Sequence, residues 1–115
     1  MGYKIGLKEK RKKEIEENLK KIVQKIIEIG VEKIILFGST VEGMVSKSSD
    51  IDIIIVKKTN KKFLERLDEI YKIINPDIAV DLIVYTPEEY EKFKETNSFL
   101  KNALKRGRVL YEKKE

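Results

Sequence analysis

"LFGSTVEGMVSKSSDIDIIIV", residues 36–56, contains a contradiction that decides how the chain folds. Its end, "IDIIIV", is a run of apolar, mostly β-branched residues of the kind a sheet buries. Two aspartates, Asp50 and Asp52, stand at the mouth of that run. Side chains alternate along a strand, so both positions project from one face. Two carboxylates about 4 Å apart repel by roughly 4 kcal/mol at an effective dielectric of about 20. A divalent cation shared between them replaces that repulsion with coordination. The plainer reading has Asp50 capping a turn and Asp52 facing solvent at a sheet edge.

The surroundings favour the cation. Gly38 and Ser39 close the preceding apolar run, where the spacing predicts a strand-to-helix turn. Glycine lets a backbone approach a ligand closely. Ser39 then stands near a helix N-terminus, where unpaired N–H groups and the helix dipole favour phosphate. Gly43 and "SKSS" turn the chain back into the next strand. A phosphate cradle beside paired carboxylates suits a nucleotide–Mg²⁺ complex. A third aspartate, Asp81, lies inside "IAVDLIVY" between Val80 and Leu82. Buried there, it needs a partner. If its strand neighbours the Asp50–Asp52 strand, the three carboxylates converge. Asp77 follows Pro76 at a turn, where aspartate is ordinary.

Outward from this stretch the pattern is regular. Ile15, Leu19, Ile22, Ile26 and Ile29 make one helical stripe that ends at Gly30, a left-handed cap position. "VEKIILFG" and "IDIIIVKK" read as strands. "NKKFLERLDEIYKIIN" reads as a helix with Phe63, Leu67, Ile70 and Ile74 inward, stopped by "NPD". "IAVDLIVY" is a third strand. "TPEEYEKFKE" opens with a capping box from Thr86 to Glu89, with Pro87 at the first helical position. "NSFLKNALKRG" is a short helix ended by Gly107, and "RVLYE" an edge strand. The expected architecture is α/β (α+β), a central mixed sheet with helices packed mainly on one face.

Composition narrows the chemistry. The 115 residues include no cysteine and no histidine. That excludes disulfides, thiol nucleophiles, histidine bases and the usual zinc ligands. A metal must be held by oxygen, which selects Mg²⁺, Mn²⁺ or Ca²⁺. The net charge is +5, with the positive charge interleaved with glutamate along helices. Solvated helix faces explain this better than nucleic-acid binding, because stacking platforms and a base-reading motif are not recognisable. No apolar run approaches the ~20 residues of a membrane span, and "MGYKIGLKEKRKK" has no signal-peptide core. A cytoplasmic location is expected. The abundance of Lys, Glu and Ile suggests a thermophilic source.

"GSTVEGMVSKSSDID" resembles the signature of the DNA polymerase β-like nucleotidyltransferase superfamily: Gly-Ser, ten residues, then Asp-x-Asp heading an apolar strand. The small size is similar to that of the minimal nucleotidyltransferases, often paired with HEPN-domain toxins. The resemblance implies one nucleotidyltransferase domain over residues 1–115. It implies that Gly38 and Ser39 bind the triphosphate of ATP. Asp50 and Asp52 would hold two Mg²⁺ ions, with Mn²⁺ as the alternative. Asp81 would complete the catalytic metal site and help deprotonate the attacking hydroxyl. The expected activity is AMP transfer from ATP to a hydroxyl of a HEPN partner protein, making this chain the antitoxin of a toxin–antitoxin pair. The alternatives are a weak or inactive antitoxin that acts by binding, and transfer to a small molecule. Where many relatives read "GSRARG" or "GSYARG", this chain has Thr40 and Glu42, and Glu42 reverses a charge near the triphosphate.

Overall fold

The computed structural model describes residues 7–38 and 49–114. The chain runs α1 (Leu7–Glu28), β1 (Lys33–Phe37), β2 (Ile51–Val56), α2 (Phe63–Ile74), β3 (Val80–Tyr85), α3 (Pro87–Phe93), α4 (Ser98–Arg106) and β4 (Arg108–Glu112). The four strands form one mixed sheet in the order β3-β2-β1-β4. β1 lies antiparallel to β2 and to β4, and β2 lies parallel to β3. The parallel pair requires a crossover, which α2 supplies.

Strand alternation sorts the core into two faces. Ile34, Leu36, Ile51, Ile53, Ile55, Val80, Leu82 and Val84 pack with Ile15, Ile22 and Ile26 of α1 and Ile70 and Ile74 of α2. The opposite parity, Ile35, Ile54 and Val56, packs with Tyr90 of α3 and Leu100 and Ala103 of α4. The two long helices thus share one face, and the two short ones cover part of the other. With both faces covered, β2 is buried at all six positions. This explains why its sequence is a continuous apolar run instead of an alternating one.

Local signals act where the sequence places them. Gly30 follows α1 at φ +85°, and Asn75 ends α2 at φ +38°. Thr86 Oγ1 accepts from the Glu89 N–H at 3.1 Å, while the Thr86 N–H donates to Glu89 Oε1 at 2.9 Å. One expectation fails. Phe63 is 45% exposed, not inward, because residues 60–65 are all exposed and the first turn of α2 overhangs the core.

Arg66, on the same helix, is buried. Its guanidinium donates to Glu89 Oε1 and Oε2 at 2.8 and 3.2 Å, to the Val84 carbonyl at 3.0 Å, and through Nε to the Lys61 carbonyl at 2.8 Å. This fork ties α2 to α3 across the end of β3.

Candidate active site

The register of the sheet builds the site. In the parallel pair, Asp52 of β2 stands directly beside Asp81 of β3. In the antiparallel pair, Phe37 of β1 stands directly opposite Asp52. Asp52, Asp81 and Phe37 share the parity of Ile54 and Ile35, so they occupy the face that α3 and α4 cover. Those helices pack over Ile54 and Val56, with Phe37 at the margin, and Asp81 stays exposed at the end of the face.

Asp52 is buried, at 9% relative exposure. Ser49, also buried, donates its hydroxyl to Asp52 Oδ1 at 2.6 Å. Burial pushes the Asp52 carboxyl above its ordinary value; the Ser49 bond pulls it down less strongly, and the Asp81 charge adds to the rise. A group in this state gains from a nearby cation.

Gly38 closes the other side. It adopts φ +81°, a conformation that favours glycine. A Cβ at this position would lie 3.1 Å from Asp52 Cγ and closer still to Oδ2. The conformation and the approach both demand glycine. The backbone at the end of β1 therefore presses against the carboxylate.

Asp81 is exposed, not buried between its apolar neighbours as the sequence suggested. Val80 and Leu82 face the opposite, covered side, so the aspartate meets solvent at the open end. Its need for a partner is weaker than the sequence argument assumed.

Asp50 precedes the first residue of β2, and its side chain follows a different course. Oδ2 accepts from the Ala79 N–H at 3.2 Å and pairs with Arg11 Nη2 of α1 at 2.6 Å. The Asp50 N–H donates to the Ala79 carbonyl at 2.8 Å. Asp50 thus pins the segment leading into β3, fixing the register that aligns Asp52 with Asp81. Among the described residues no three carboxylates come together as a ready metal cluster. The structure brings Asp52 and Asp81 side by side and holds Asp50 toward α1. Ser39, Thr40, Glu42 and Gly43 lie outside the described residues.

Sequence reasoning missed Ser49 and Arg11. Ser49 read as one of several turn serines. Arg11 sat in a charge run that read as a solvated face. Two surface depressions elsewhere, one on the outer side of α2 near Leu64 and one near Lys33 and Tyr90, include neither Asp52 nor Gly38.

The sequence profile of the nucleotidyltransferase domain matches residues 13–111. A Methanocaldococcus jannaschii protein, provisionally named a protein adenylyltransferase, is 38% identical over 82 residues, covering 70% of this chain and 79% of that protein. A Sulfolobus solfataricus crystal structure, provisionally described as a nucleotidyltransferase, superposes with a TM-score of 0.65 at 21% identity. That superposition covers 97% of this chain and 94% of the other.

Proposed function

The chain belongs to the nucleotidyltransferase domain family, and from that premise we propose that it transfers AMP from ATP to a hydroxyl group of a partner protein. One observation carries the reading: a buried carboxylate, Asp52, stands in register beside a second, Asp81, with a side-chain-free backbone at Gly38 against it. The residues fit Mg²⁺. The donors are all oxygen, and the burial and like charge that disfavour ionised Asp52 are what a hard cation offsets. Asp52 and Asp81 would hold it, joined by Asp50 once that side chain leaves Arg11. When bound, Mg²⁺ supplies charge neutralisation at the α-phosphate and at the departing pyrophosphate.

The chain's own groups do the rest. Gly38 lets the triphosphate approach the backbone, with Ser39 following it. Asp81, exposed at the edge of the site, takes the proton of the incoming hydroxyl. A bond forms between the acceptor oxygen and the α-phosphorus, the bond from that phosphorus to the bridging oxygen breaks, and pyrophosphate leaves. No thiol or imidazole is needed, in keeping with a sequence that has neither.

A protein acceptor is favoured by the name of the Methanocaldococcus jannaschii relative. We take the acceptor to be a HEPN-type partner encoded nearby, and the setting to be the cytoplasm. The test is incubation with Mg²⁺, the co-expressed neighbouring protein, and ATP labelled at the α- or the γ-phosphate. Label in the partner from α-ATP alone supports AMP transfer. Label from neither, with the two proteins co-eluting, leaves a binding antitoxin. Asp52→Asn is expected to abolish transfer.

A further inference from the structure

Phe99 is an aromatic residue that stands half out of the core. α4 buries Leu100 and Ala103 against the sheet, while Phe99 beside them is 45% exposed. Its ring meets that of Phe37 edge-to-face, with centroids 5.3 Å apart and planes at 86°. Phe37 in turn stands directly opposite Asp52 in the β1–β2 register and immediately precedes Gly38. An aromatic pair with an open outer ring therefore adjoins the carboxylate and the close-approach glycine. Phe63 has the same exposure, but it belongs to α2, which packs on the other face of the sheet from Asp52 and Phe37.

We propose that Phe37 and Phe99 form the platform on which the base of the nucleotide stacks. This rests on the nucleotide site proposed above. With the phosphates at Gly38 and Asp52, the ribose leads outward along the side occupied by Phe37, and the base meets the exposed ring of Phe99. A flat π-face accepts any base. The platform supplies affinity for nucleosides over bare phosphate chains without choosing strongly among bases. Phe37, half-buried and held by β1, fixes the orientation of Phe99; Phe99 makes the contact.

The experiment compares two ligands, ATP and inorganic tripolyphosphate, each with Mg²⁺, by titration calorimetry. The proteins are the wild type, Phe99→Ala and Phe99→Leu. The leucine variant keeps apolar volume against Phe37, and its melting temperature without ligand shows whether α4 remains in place. The wild type should bind ATP about tenfold more tightly than tripolyphosphate, the scale of one base stacked on one ring. Both variants should lose that margin, with tripolyphosphate affinity unchanged. Phe99→Leu binding ATP as tightly as the wild type overturns the platform. So does a wild type that binds the two ligands equally, which leaves the phosphate site standing. A wild type that binds neither ligand overturns the nucleotide site, and the platform with it.

Discussion

Arg11 Nη2 lies 2.6 Å from Asp50 Oδ2, so a guanidinium of α1 occupies an oxygen that a metal-binding role would require. The same guanidinium contacts Glu14 Oε1 through Nη1. Both carboxylates raise the Arg11 pKa, Asp50 more strongly. Any cation recruited by Asp50 must compete with this arginine.

Arg11→Ala removes the competitor. It should tighten Mn²⁺ binding, read by electron paramagnetic resonance of the free ion, by a factor of about two to five, the range of an exposed ion pair. The effect should shrink in high salt. Unchanged Mn²⁺ affinity would place Asp50 outside the metal site.

Asp52→Asn keeps the shape and removes a charge. Because the Asp52 carboxyl is raised in the fold, the unfolded chain releases its proton first as pH climbs from the ordinary 3.8. Native protein then binds more protons than unfolded, and stability falls across that interval. In EDTA the variant should melt at or above the wild type, with its advantage growing from pH 4 toward neutrality. With Mg²⁺ and ATP it should lose the ligand-induced rise. A variant that melts lower in EDTA yet still responds to ligand would make Asp52 structural.

Gly38→Ala forces a Cβ toward the Asp52 carboxylate in a left-handed backbone conformation. A cost of about 1–3 kcal/mol is expected in urea unfolding. Combining it with Asp52→Ala, which removes the clash, should recover part of the loss; strict additivity would show that the two residues do not touch.

Arg66→Ala leaves Glu89 unpaired and the Val84 and Lys61 carbonyls without their donor. The expected loss is about 3 kcal/mol. Glu89 is held below its ordinary 4.5, chiefly by the hydrogen bonds from Arg66. That stabilisation is present above 4.5 and disappears as pH falls through the lowered value. Glu89→Gln should therefore unfold at nearly the same pH-dependent midpoint as the wild type only below that window. Equal stability of the two proteins at pH 7 would count against the pair.

Much of this was legible in the order of residues. Two apolar runs joined by an amphipathic helix allow a neighbouring pair, the condition on which the sequence brought the aspartates together; the structure meets it for Asp52 and Asp81, while Asp50 turns toward Arg11. The Thr86–Glu89 box and the Gly30 stop are local and appear as read. The contacts that were not legible are those fixed by how whole elements pack. Arg11 reaches Asp50 only because α1 crosses beneath the mouth of β2. Arg66 reaches Glu89 only because α3 returns over the end of β3. Phe63 satisfied the helical spacing but lies where the helix overhangs. Asp81 looked buried because sequence shows its flanking residues, not which end of the sheet stays uncovered.

The neighbours Asp52 and Asp81 also carry a consequence in time. β1 and β2 are consecutive and antiparallel, and their pairing spans residues 38–50, the shorter of the two closures. β2 and β3 run parallel and meet only after α2 has crossed over, a longer-range closure that is intrinsically slower. A chain can therefore hold the hairpin while its two carboxylates are still apart. Cation affinity would then be complete only after that slow closure has been crossed, so it is absent from the transition state. In stopped-flow experiments Mg²⁺ should leave the refolding rate nearly unchanged and lengthen the lifetime of the native state against unfolding.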